Sequence, residues 1–175
     1  MLKADELQEA FKKVEKDNWI LRSFLKGQDS SEVDKLVNEL HQELFAGFSC
    51  YSCLNCCKSI VPLISENEIK VIAKRIALTE DELKSKYLEQ TATGFRVNKV
   101  PCLFLTNTGC SIYECRPLNC REYPFTSSKY ISSRLINLVE NCEICPVVFE
   151  IFERLKEHYQ YEFKTYKKMF NKLWG

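Results

Sequence analysis

All ten cysteines of this 175-residue chain lie between positions 50 and 145, and four of them crowd into the eight residues "CYSCLNCC", 50 to 57. Nothing else in the sequence restricts the fold so strongly. Sulfur at this density is bridged, metal-bound or catalytic, and the compartment decides among the three. The first residues, "MLKADELQEAFKKVEKDNW", are charged throughout and lack the ~7–15-residue apolar run of a secretory signal. No run approaches the ~20 apolar residues of a membrane span. The expectation is a cytoplasmic protein with no membrane association, in a compartment where thiols stay reduced. Ten cysteines there read as metal ligands or catalytic groups rather than as disulfides.

Around the cysteines the chain divides into three regions. Residues 1–48 carry none and read as an N-terminal helical pair: Leu7, Phe11, Val14, Leu21 and Leu25 mark one stripe, and Val33, Leu36, Val37, Leu40, Leu44 and Phe45 a second. Between them Gly27 suits a helix end, and Asp29, Ser30 or Ser31 suits the next start. Residues 49–146 form the cysteine-rich metal-binding domain. Within it, Ser65 with Glu68 and Thr79 with Glu82 fit the S/T-x-x-E capping box ahead of "IKVIAKRIA" and "LKSKYLEQ". "GFRVNKVPCLFL" and "KYISSRLINLVE", rich in branched and aromatic residues, read as strands. "TNTG", 106 to 109, reads as a turn. Residues 147–175 read as one C-terminal helix packing on the same unit, with Pro146 in its first turn. The expected fold is mainly α with a small irregular α+β cysteine-rich core, the N- and C-terminal amphipathic helices packed around a metal-stapled centre.

Two residues between thiols let a tight turn aim both sulfurs at one ion, as in zinc ribbons and ferredoxin-type loops. Cys50, Cys53 and Cys56 have this spacing, and Cys57 follows directly. Neighbouring side chains diverge, so at most three of these four share one ion. Cys102, Cys110, Cys115 and Cys120, then Cys142 and Cys145 in "CEICP", supply further ligands from elsewhere. A tetrahedral zinc or a four-iron cluster takes about four thiolates, so ten cysteines suggest more than one centre. His41 and His158 fall on helical patterns outside this region and read as helix-face residues. Arg116 and Arg121 stay charged at any working pH. They are placed to offset thiolate charge, to bind an anionic group, or to pair with Glu114.

"CYSCLNCC" followed by "PCLFLTNTGCSIYECRPLNCREYPF" resembles the CxxCxxCC family of YkgJ-like proteins, described as a zinc- or iron-chelating domain. The likeness covers about residues 49–126 and extends arguably to 146. It implies that Cys50, Cys53, Cys56, Cys57, Cys102, Cys110 and Cys120 correspond to the family's cysteines, whereas Cys115 falls outside the pattern. One relative with a similar cysteine motif, the flagellin lysine N-methylase, transfers a methyl group from S-adenosylmethionine to lysines of a protein substrate.

Three functions follow, in order of support. The first is a cytosolic metal-binding protein holding zinc, or alternatively a 4Fe-4S cluster, on cysteine thiolates. The second is an enzyme, an S-adenosylmethionine-dependent protein lysine N-methyltransferase or another cluster-dependent catalyst. Five glycines and no Gly-rich nucleotide loop argue against it, and no catalytic residue is assigned. The third is a metal-scaffolded interaction module that docks a protein partner through its aromatic C-terminal helix. A net charge of +1 gives no overall pull toward nucleic acid.

Overall fold

The computed structural model describes residues 1–174. It is mainly α, with a small β component, and divides into two compact units: Met1–Phe48 with the chain from Pro124 onward, and Ser49–Tyr123.

The first unit is built of helices alone. α1 (Leu7–Leu25) and α2 (Ser30–Phe45) form on the expected stripes, and Asp29 caps α2 by accepting from the N–H groups of Ser31 and Glu32. The segment "KYISSRLINLVE" forms α8 (Ile131–Asn141) rather than a strand. Its buried residues Ile131, Leu135, Leu138 and Val139 recur by three and four, so helical periodicity outweighs β-branched composition. The single C-terminal helix of the sequence reading is two, α9 (Pro146–His158) and α10 (Gln160–Trp174), parted at Tyr159. Phe24 of α1 receives the rings of Tyr159, Phe163 and Tyr166 at 5.3, 5.8 and 5.5 Å. Farther along α10, Met169 and Leu173 are exposed. Asp34 of α2 accepts from the backbone N–H groups of Tyr130 (2.7 Å) and Ile131 (2.8 Å), capping α8 from another helix. No helix among the described residues is long and apolar enough to cross a membrane.

The second unit alternates short elements. After the cysteine octet come β1 (Leu63–Ile64), α5 (Glu66–Arg75), α6 (Glu80–Tyr87), β2 (Leu88–Thr91) and β3 (Gly94–Val97). Both capping boxes form, at Ser65/Glu68 and Thr79/Glu82. α6 stops at Tyr87, and the residues expected to continue it pair instead with β3, Leu88 opposite Val97 and Gln90 opposite Phe95. The sheet order is β1-β3-β2, all antiparallel. Only the first four residues of "GFRVNKVPCLFL" are in β3. The turn at "TNTG" joins β4 (Leu105–Thr106) to β5 (Gly109–Cys110). Ile64, Ile69, Ile72, Leu83, Val97 and Phe104 belong to this unit's own apolar core.

Candidate metal centre

The octet folds as two helical turns with a sharp change of direction between them. Ser49 caps α3 (Cys50–Cys53), accepting from Ser52 N–H. Leu54 then adopts the left-handed conformation at φ 54°, and α4 (Asn55–Ser59) follows on a new heading. A left-handed residue costs a branched or bulky side chain free energy. Here it lets one short sequence present cysteines from two directions.

Tertiary hydrogen bonds bring the later cysteines to this loop. The Cys102 N–H donates to the Cys57 carbonyl at 2.8 Å. Cys110 arrives on β5, which is fastened to α3 through Tyr51: its hydroxyl donates to the Thr108 carbonyl at 3.1 Å. The Tyr51 ring occupies the place where a side chain at Gly109 would begin. A Cβ there would lie 2.9 Å from the ring, and Gly109 has φ +123°, so only glycine fits without strain. Tyr51 also meets Tyr113 edge-on, with centroids 4.9 Å apart. Cys120 sits on α7 (Leu118–Glu122). The start of α7 is held by Glu68, whose Oε1 accepts from Leu118 N–H at 2.6 Å while Oε2 accepts from Ser65 N–H at 2.8 Å. Asn119 adds a bond from Leu63 N–H at 3.4 Å.

These constraints place six cysteines, Cys50, Cys56, Cys57, Cys102, Cys110 and Cys120, around one cavity of about 100 Å³. Three of the octet's four thiols face it, but the membership differs from the spacing: Cys56 and its neighbour Cys57 both do, and Cys53 does not. The Cys56 thiol hydrogen-bonds to the Cys57 sulfur, which with burial raises Cys56 strongly. The same bond lowers Cys57 to about 7 against the opposing effect of burial, with the charge of Arg116 helping. Burial raises Cys50, Cys102 and Cys110, and pushes Cys120 up to about 12. Neighbouring cysteines raise each of these four further. Most of the set is therefore neutral thiol until a cation repays the cost of ionisation.

The remaining expected ligands lie elsewhere. Cys53 closes α3 and is half-buried, and its charge is felt at Cys50. Cys115, partly buried, packs against the apolar core. Cys142 and Cys145 belong to the helical unit. Cys142 is fully buried, its thiol donating to the carbonyls of Leu138 (3.3 Å) and Val148 (3.9 Å), the behaviour of a small hydrophobe. No disulfide joins any of the ten. His41 bonds through Nδ1 to Thr126 Oγ1 at 2.7 Å, and His158 stacks edge-on with Tyr159. Arg116 does not take the expected carboxylate: its guanidinium lies 3.8 Å from the centroid of the Tyr113 ring, and Nη1 donates to the Tyr113 carbonyl at 3.3 Å.

Among the described residues no three His, Cys, Asp or Glu side chains are already gathered into a coordination sphere. The donor chemistry nonetheless suits a thiophilic ion. Six sulfurs share one cavity where a tetrahedral centre needs four, and among the described residues no Asp or Glu carboxylate, the donor that would favour magnesium or calcium, is in its lining.

Fold and cavity define a mainly α protein with a small thiol-lined site. The family follows from the sequence that builds that site: residues 49–146 match the family described as "CxxCxxCC: Putative zinc- or iron-chelating domain", and the chain belongs to it. The match begins at the first residue of the cysteine-rich unit and runs on through α8 to the start of α9. No curated protein and no solved structure matches the chain.

Proposed function

We propose that the Ser49–Tyr123 unit binds zinc in a reducing compartment, on four thiolates drawn from Cys50, Cys56, Cys57, Cys102, Cys110 and Cys120, and that the metal serves the fold. The carrying observation is the convergence of these six cysteines, from the octet and from three positions at least 45 residues later, on one cavity. Cross-linking of distant segments is what structural zinc does in small domains. The Cys50, Cys53, Cys56 run, whose spacing suits an iron–sulfur cluster, does not face the cavity as a set, and this favours zinc. A single compartment also favours one centre over two, because two separate tetrahedra would require eight thiols. Cys142 and Cys145 are assigned to packing within the helical unit.

Elemental analysis and an absorption spectrum of protein purified without air test this reading. Colourless protein carrying about one zinc per chain is expected. A brown solution absorbing near ~400 nm would replace zinc by an iron–sulfur cluster. Folded protein containing neither zinc nor iron would overturn metal binding altogether. A metal that serves only the fold also requires that S-adenosylmethionine, at high concentration, leave the melting temperature unchanged.

A further inference from the structure

We propose that Arg116 is the positioning residue that balances the negative charge of the thiolate centre, and that Arg121, on the same cavity, is not. The inference rests on the zinc-binding reading. A divalent ion held by four thiolates carries a net double negative charge, and a partly buried charge needs a nearby counter-charge. Arginine supplies one that never deprotonates.

Arg116 and Arg121 are the cationic residues in the cavity lining. Arg121 is exposed, so water screens it, whereas Arg116 is half-buried. Arg116 is also fixed. Its guanidinium lies on the Tyr113 ring and its Nη1 on the Tyr113 carbonyl; Tyr113 is braced by Tyr51, and Tyr51 by Thr108. None of the ion pairs among the described residues uses Arg116, so no carboxylate neutralises it. Arg116 lines the same cavity as Cys50, Cys57, Cys110 and Cys120. Stacking leaves the cation's charge intact. The tyrosine pair therefore works as a mount that holds a positive charge beside the sulfurs without cancelling it.

The test compares the zinc affinity of the full chain, by competition with a chromophoric chelator under reducing conditions, for wild type, Arg116→Gln, Arg116→Lys and Arg121→Gln. The melting temperature of each metal-free form is measured alongside. Loss of a supporting residue around a metal site typically weakens binding about 10–100-fold, and that is expected for Arg116→Gln. Arg116→Lys, which keeps the charge and loses the planar stack, should retain most of the affinity. Arg121→Gln should change it by less than about fivefold. The metal-free melting temperatures should stay together. Wild-type affinity in Arg116→Gln would overturn the proposal, as would Arg116→Lys binding as weakly as Arg116→Gln, since packing rather than charge would then matter. If Arg116→Gln does not fold, Arg116→Met, which keeps an apolar stem against Tyr113, carries the same comparison with lysine. Failure of the wild type itself to bind zinc would sink the underlying reading, a result distinct from a null effect at Arg116.

Discussion

The helical unit and the cysteine-rich unit solve the problem of burial differently. In the first, helices of 11 to 19 residues each present a repeated apolar face, and α9 alone buries seven residues. In the second, the three short helices that carry cysteines, α3, α4 and α7, are four or five residues long and bury none. Helices this short do not stand alone in water. The difference accords with the proposed metal: where a segment is too brief to be held by its own apolar side, an ion bound by its thiols would cross-link it. Within the cysteine-rich unit the same contrast recurs, because α5 and α6 with the sheet have a core of their own.

This division has a direct consequence for metal removal. A chelator under reducing conditions should abolish amide protection in residues 50–59 and 102–122 and leave α1, α2, α8 and α9 protected, as read by hydrogen exchange. Structural zinc contributes an apparent ~10–16 kcal/mol in small zinc-finger peptides, so the effect on these segments should be complete. Protection lost equally in both units, or in neither, would erase the distinction. The converse experiment is Phe24→Ala. Phe24 is 5% exposed and gathers three aromatic rings, so its truncation should cost about 3–5 kcal/mol in denaturant titrations. Zinc content should not change. Loss of zinc in this variant would mean that the units do not stand independently.

Gly109→Ala probes the cysteine-rich unit without touching a thiol. The new methyl would meet Tyr51 at 2.9 Å on a backbone held at φ +123°. A loss of about 1–3 kcal/mol is expected, together with weaker zinc binding, because the Tyr51 bond to Thr108 aligns Cys50 with Cys110. Wild-type stability and affinity would show that the tyrosine is not a brace.

What could be read from the sequence followed the range of the interaction. Local signals were legible: a cap among Asp29, Ser30 and Ser31, both capping boxes, the "TNTG" turn and the apolar stripes of α1 and α2 all depend on residues within one or two turns of each other. At "KYISSRLINLVE" the spacing of Ile131, Leu135 and Leu138 carried the right answer, and β-branched composition pointed the other way. The break at Tyr159 has no glycine or proline to announce it. Contacts between distant segments left no local trace: Asp34 capping α8, Glu68 reaching Leu118, and the Tyr51 hydroxyl reaching Thr108. The cavity belongs to the same class. Ten cysteines are visible in the chain, but which six line one cavity depends on a left-handed Leu54 and on backbone bonds such as Cys102 to Cys57.

Glu68 offers the finest test, because one carboxylate serves both the locally legible box and the long-range contact. Burial alone would raise it, but the N–H of Leu118 and the hydroxyl and N–H of Ser65 outweigh burial and hold it below its ordinary 4.5. A carboxylate lowered on folding adds stability that is fully present above its unfolded value and lost as pH falls through the folded one. Glu68→Gln keeps one acceptor oxygen for the capping box but puts a donor NH2 where Oε1 accepted from Leu118 N–H, a loss of about 1–3 kcal/mol at neutral pH. Acid also protonates thiolates and releases metal, equally in both proteins, so the informative quantity is wild type minus variant in urea titrations from pH 7 to pH 3. That difference should be constant above about pH 5 and vanish below 4.5 as the carboxylate takes up its proton. A difference independent of pH would mean that Glu68 acts through shape alone, and that the start of α7 is anchored by Asn119 and the thiols instead.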